Sequence, residues 1–180
     1  MKRAVIRKVV KGRFAVTSRK KASSQARKAM EEYLRLVESV GPELAARAVR
    51  VPSMLGVDED MREWSLCMIL EHNAIVNRRI TPTVRALATG QEVPSNGDFD
   101  PKKDVMPSLA PGVEQVEDFR ESVEEHLRVV ADLPELKGTA KTLHPVFGPF
   151  DAHQWHCMFA FHLEIHLRQA ETAAGLLTDA

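Results

Sequence analysis

Apolar residues recur at helical spacing in four long stretches of this 180-residue chain. Over 22–40 the positions Ala26, Met30, Tyr33, Leu34 and Val37 share one helix face, and Gly41-Pro42 closes the run. A second helix is predicted over 58–88, with Pro82 threatening a kink or break near Ile80. A third opens with Pro111 in its first turn, carries Val116, Phe119, Val123, Leu127 and Val130 as a stripe, and closes at "LPELKG". A fourth is predicted over 151–176, opened by a capping box of Asp151 and Gln154. Four long amphipathic helices with almost no strand signal predict an all-α four-helix bundle. Residues 89–112, with four prolines and three glycines, form the long connection between its second and third helices. A loop of that length in a compact domain is a candidate for covering a site, with Lys102, Lys103 or Asp104 as groups that would touch a ligand.

The opening "AVIRKVVKGRFAV" sits outside this pattern. Its β-branched residues around Lys11-Gly12 permit a short hairpin, and a basic helix is the competing reading. We divide the chain into a basic arm over 1–21 and a bundle domain over 22–180.

Charge changes the picture at that arm. Residues 1–30 carry 11 Lys or Arg and no Asp or Glu; the other 150 residues carry 14 basic and 25 acidic side chains. The arm can lie against its own acidic body, which makes a nucleic-acid partner the weaker expectation. No apolar run is long enough to span a membrane, so no membrane partner is expected. Two cysteines, Cys67 and Cys157, supply no disulfide framework, and the chain reads as cytoplasmic. Both read as small core residues.

The candidate chemistry lies in "HQWHCMFAFHLEIHLRQ", residues 153–169, which holds four of the seven histidines. His162 and His166 are four apart and about 40° from one another on a helix, on the apolar face with Trp155, Met158, Phe159, Ile165 and Gln169. His153 and His156 fall about 180° and 120° away, which predicts that both are solvated. Two imidazoles at this spacing form half of a metal site, and another helix must complete it. His72 faces inward with Ser65, Met68, Ile69, Ile75 and Val76. His126 sits at the edge of the third helix's stripe, and His144 in the turn before the fourth helix. Glu164 lies about 160° from both histidines of the fourth helix, so the zinc-protease pattern fails. Gln169, one turn past His166, and Glu71 and Asn73, flanking His72, are candidates to bond a ligand or substrate. The ordinary alternative is three core histidines bonded to neighbours. Burying three imidazoles without a shared purpose costs several kcal/mol, which weighs against it.

"EWSLCMILEHN" and "HPVFGPFDAHQWHCMFAFHLEIHLRQ" resemble the DinB-like family of four-helix metal-binding proteins. The resemblance is carried by His72, His162, His166, His144-Pro145, Gly148 and Trp155, covers residues 58–175, and leaves the basic arm outside. It implies one divalent metal on three imidazoles, with positions open for water or substrate. Imidazole ligands favour zinc or nickel over calcium, with iron and manganese also open. Such a site acidifies a bound water or thiol. The implied activity is hydrolysis or thiol-dependent transfer on a small-molecule substrate, with a low-molecular-weight thiol as co-substrate. The alternatives are a non-catalytic metal- or ligand-binding module, and an interaction protein working through its basic arm. Family members often pair, and Cys157, Ala160, Phe161 and Leu167 leave the fourth helix apolar beyond the metal stripe, so a homodimer is expected.

Overall fold

The computed structural model describes residues 2–93, 100 and 102–178, with side chains from Val5 onward. Within these, the chain runs α1 (Lys2–Val16), α2 (Arg19–Val40), a short α3 (Pro42–Ala45), a 3-10 turn (Glu59–Met61), α4 (Leu66–Thr89), α5 (Glu114–Asp132), β1 (Thr142–His144), β2 (Gly148–Phe150) and α6 (Ala152–Thr178). The fold is all-α, and α2, α4, α5 and α6 form the bundle, with α6 packed on α2 and α4, and α4 on α5. Residues 94–99 and 101 of the long connection lie outside the described residues.

Local chemistry sets the ends of the helices. Ser18 accepts the Lys21 amide at 3.1 Å to open α2, and Ser65 accepts the Met68 amide at 3.1 Å to open α4. The second bundle helix therefore starts at Leu66 rather than 58, because Asp58 begins a 3-10 turn and Ser65 is the true cap. It runs through Pro82 to Thr89, where Gly90 at φ 69° provides the left-handed cap. Losing one intrahelical donor at Pro82 is outweighed by burial on both sides of it, Ile80 and Val84 being 5% and 0% exposed. Asp151 and Gln154 cap α6 reciprocally, Gln154 N donating to Asp151 Oδ1 at 2.8 Å and Asp151 N to Gln154 Oε1 at 3.2 Å.

The opening segment is a helix and not a hairpin. Val10 and Phe14, one turn apart, are buried, and Phe14 meets Phe150 and Phe161 edge-on at 5.8 and 5.9 Å. Such aromatic burial contributes about 2–3 kcal/mol and outweighs the cost of Gly12 in mid-helix. Arg7 donates to the Val146 carbonyl at 2.5 Å and Lys11 to that of Pro149 at 3.3 Å, while Arg13 pairs with Glu164 at 2.6 Å. Arg19 donates to the carbonyls of Leu133 and Pro134, both at 2.9 Å. Most of these cations thus hold main-chain carbonyls rather than acids. With α1 laid over Phe161, the apolar surplus of α6 has a partner within the chain and argues nothing for a second copy.

The true hairpin is β1–β2, in register Thr142↔Phe150, Leu143↔Pro149 and His144↔Gly148. His144 Nδ1 accepts the amides of Val146 and Phe147 at 3.1 and 3.3 Å, closing the turn from inside. Gly148 supplies the φ of 81° that the turn requires. This hairpin delivers His144 and Phe150 against Trp155 on α6, with ring centroids 5.1 and 5.8 Å away.

Candidate metal centre

His72 on α4 and His162 and His166 on α6 meet inside the bundle, each offering one ring nitrogen, all within 4.8 Å of one another. His72 and His166 are 2% and 3% exposed, and His162 is partly buried with its Nδ1 enclosed. The antiparallel course of α4 and α6 produces this meeting, because the helical phase that turns His162 and His166 inward aims them at the same layer as His72.

The protonation of each ring follows from its neighbours. His72 Nδ1 lies 2.7 Å from the Val105 carbonyl and must donate to it, which leaves the lone pair on Nε2. Gln169 Nε2 donates to the Met61 carbonyl at 2.7 Å, so its Oε1 accepts from His166 Nδ1 at 2.8 Å. That leaves His166 Nε2 bare as well. His162 Nε2 lies 3.2 Å from His72 Nε2, and its Nδ1 has no partner among the described residues. Without an ion, His162 Nε2 is the nitrogen free to donate to the bare Nε2 of His72, which leaves His162 Nδ1 the unsatisfied atom; a cation at the point the three rings share would take a lone pair from each. The donor set fits a divalent ion that takes nitrogen ligands.

All three rings are held neutral, the form that binds metal. Burial is the main cause for each and pushes His166 down to about 3, with the charge of His72 adding to it. His72 is lowered by burial, against the opposing bond to Val105. His162 is driven well down by burial and then by His166, His72 and His144. No carboxylate stands among the causes for any of the three.

The surroundings hold the rings in place. Trp64, 2% exposed, lies against His72 and His166 with centroids 5.0 and 6.4 Å away. Gly56, at φ 85°, passes so close to Ile165 that an added Cβ would lie 2.9 Å from its Cγ2. The long connection reaches the centre through Val105 and is fastened by Glu71, whose Oε2 accepts the Ser108 amide and hydroxyl at 2.8 and 2.9 Å. A polar cleft of about 540 Å³, lined by Arg50, Asp58, Glu59, Asp60, Glu63 and Lys102, opens between the segment that carries Trp64 and the one that carries Val105.

Of the flanking residues singled out by sequence, Gln169 bonds a histidine of the cluster and Glu71 bonds the covering loop. Asn73 instead donates to Tyr33 and to the Ile69 carbonyl at 3.2 and 2.9 Å, and Tyr33 in turn donates to Leu163 at 3.1 Å. It ties α2, α4 and α6 together on the neighbouring face of α4. Asp104 accepts the Asp100 amide at 2.9 Å and Lys103 pairs loosely with Asp100, so both stabilise their own turn. Cys67 and Cys157 are buried, the latter's thiol pushed up to about 12 chiefly by burial. Glu164 faces away, holding Arg13 and Gln25 at 2.6 and 2.7 Å.

His153 and His156 correct the expectation of solvent exposure, being 3% and 0% exposed. The helical phase places them away from the metal cluster, but α1, α2 and α5 cover that side of α6. His153 Nε2 reaches the Phe14 carbonyl at 3.2 Å, and His156 Nδ1 meets His126 Nε2 at 3.0 Å. His126, placed by sequence at a stripe's edge, is wholly buried and stacked on Phe159. Trp64, the Val105 carbonyl and this second histidine pair escaped the sequence reading. The only available signal for Trp64 was its position just before the Ser65 cap.

A model of the DinB superfamily matches residues 22–170. The chain belongs to the DinB superfamily. A comparison with curated proteins finds no match. The matched span takes in all four bundle helices and the three histidines, and family and cluster together are compatible with a metal site.

Proposed function

We propose that this DinB-superfamily protein is a divalent-metal-dependent enzyme of the hydrolase or transferase type, with His72, His162 and His166 as its metal ligands. The observation that carries the reading is the trio of inward imidazoles, two of them fixed by Nδ1 bonds to Val105 and Gln169 that expose Nε2. An ion held there would supply Lewis acidity toward a water, thiol or substrate oxygen. Zinc or nickel suits three nitrogens best, with iron and manganese as the other candidates.

The chain's own residues orient and enclose. Gln169 keeps His166 in one tautomer and rotamer, and Val105 does the same for His72. Trp64 and Val105 exclude water from their side of the cluster, which strengthens every charge interaction within it. Among the described residues, no side chain near the three rings is placed as a general base. Proton transfer therefore falls to the substrate, to solvent, or to a low-molecular-weight thiol, a co-substrate that rests on family resemblance alone. A small-molecule substrate in the cytoplasm completes the reading, and among the described residues no helix is long and apolar enough to cross a membrane.

A non-catalytic metal-binding module is the second reading, favoured by that missing base. The two separate on zinc- or nickel-loaded protein screened against ester, amide and thiol-plus-electrophile substrates. Turnover abolished by His166→Ala supports the enzyme; stoichiometric metal without turnover across the screen supports the module.

A further inference from the structure

The outer face of α1 carries a second apolar stripe, opposite the one that docks it. Val5, Val9 and Val16 are 57%, 65% and 86% exposed. At 100° per residue they fall within about 40° of one another, and Gly12 extends the stripe about 20° beyond Val5. The buried Phe14 lies about 180° from Val5, so this stripe is not the margin of the docked face. Lys8 and Arg13, both exposed, flank it on opposite sides, each about 70° from its middle. The helix contains no acidic residue. Arg13 is paired with Glu164, while Arg7 and Lys11 hold main-chain carbonyls and keep their charge. Single exposed valines are ordinary, but an ordered stripe of them between cations is the distribution of a helix that lies on a surface.

Charge and side-chain size select the occupant. A second copy would bring the same cations against these and repel them. Nucleic acid would take up the cations and gain nothing from the valines. A protein groove is filled by large anchors such as Trp, Tyr or Arg, and valines beside a glycine offer none. A fluid lipid surface needs no anchor, and the long stems of Lys8 and Arg13 can lie along it with their charges among the headgroups. The expectation of no membrane partner rests on run length, which bears on spanning alone; a helix lying in the interface needs no such run.

We infer that α1 lays this stripe on an anionic lipid surface. Val5, Val9 and Val16 enter the boundary between headgroups and acyl chains, and Lys8 and Arg13 meet the headgroups. The inference is independent of the metal reading.

Co-sedimentation of the full chain with vesicles of phosphatidylcholine, alone or mixed with phosphatidylglycerol, tests it. Binding to the mixed vesicles only is expected, weakening as salt rises. Val5→Ser with Val9→Ser should lower that affinity about tenfold, and Gly12→Leu should raise it about fivefold. A Cβ at Gly12 meets no atom within 4 Å, so the tightening variant has room. Thermal melts of each variant keep a lost helix from being mistaken for a lost lipid contact. No binding to the mixed vesicles overturns the inference, as does binding that neither variant alters. So does a dimer, formed without vesicles, that Val5→Ser with Val9→Ser dissociates. Binding of an acidic helical peptide where vesicles fail would give the face to a protein and overturn it as well.

Discussion

The Nε2 atom of His126 and the Nδ1 atom of His156 lie 3.0 Å apart, in two rings with no solvent exposure. Their neighbours fix the direction of the bond. Thr81 donates its hydroxyl to the Asn77 carbonyl at 2.8 Å, so its Oγ1, 3.0 Å from His126 Nδ1, accepts from that nitrogen. His126 Nε2 must then accept from His156 Nδ1, and Ser23 can donate to His156 Nε2 across 3.2 Å. The chain crosses all four bundle helices; the Arg19 carbonyl, also 3.2 Å from His156 Nε2, favours a proton there, and burial opposes it.

Acid should therefore weaken the fold through this pair. Burial lowers His156 from 6.5 to about 4, and lowers His126 well below 6.5, with the charge of His156 as second cause. A group lowered on folding contributes stability that is complete above its unfolded value and is lost as pH falls from 6.5 toward the folded value. For His156, with His126, Arg19, His153 and Ser23 around it, the loss by about pH 4 is on the order of 3 kcal/mol. Denaturant melts of metal-free protein between pH 7.5 and 4 measure it. The double variant His126→Leu, His156→Leu should show a shallower pH slope than the wild type; an equal slope would remove this pair as the cause.

His156→Ala should cost about 2–4 kcal/mol at pH 7.5, since it opens a cavity and strands His126 Nε2. Zinc affinity of the folded fraction should stay within about threefold of wild type, because distant independent sites add. Chemical denaturation gives the first figure and a chelator competition the second. A large drop in zinc affinity would mean that the two histidine groups are coupled.

Gln169→Leu removes the acceptor of His166 and the donor to Met61. Loss of such a support typically weakens metal affinity about 10–100-fold, and zinc competition should place this variant in that range. Unchanged affinity would show that His166 needs no help to hold its orientation.

Phe14→Ala tests the docking of α1. Phe14 is 1% exposed between Phe150 and Phe161, and its truncation should cost about 3–5 kcal/mol, read from thermal melts. A cost near zero would mean that α1 is not docked in solution.

Much of this fold was legible because its helices announce themselves through apolar periodicity and end signals, as with Gly41-Pro42, Asp151-Gln154 and the stripe ending at Val130. The convergence of His72, His162 and His166 was legible too, since facing can be calculated from a 100° step. Facing, however, says where a residue points and not what lies there. His153 and His156 point away from the metal cluster and are still buried, because α1 and α5 occupy that side. Which way the basic opening folds depended on Phe14 finding Phe161, a contact across almost the whole chain that local propensity could not supply. Val105 reached His72 through a main-chain carbonyl, which leaves no mark in side-chain identity.

X-ray absorption at the metal edge, on protein reconstituted with zinc and freed of excess ion, tests the central claim most directly. One zinc per chain with three imidazole nitrogens at about 2.0–2.1 Å is expected, and loss of that signal when His162 and His166 are both replaced by Ala. Substoichiometric zinc, a shell dominated by sulfur or carboxylate, or full retention of zinc in the double variant would contradict it.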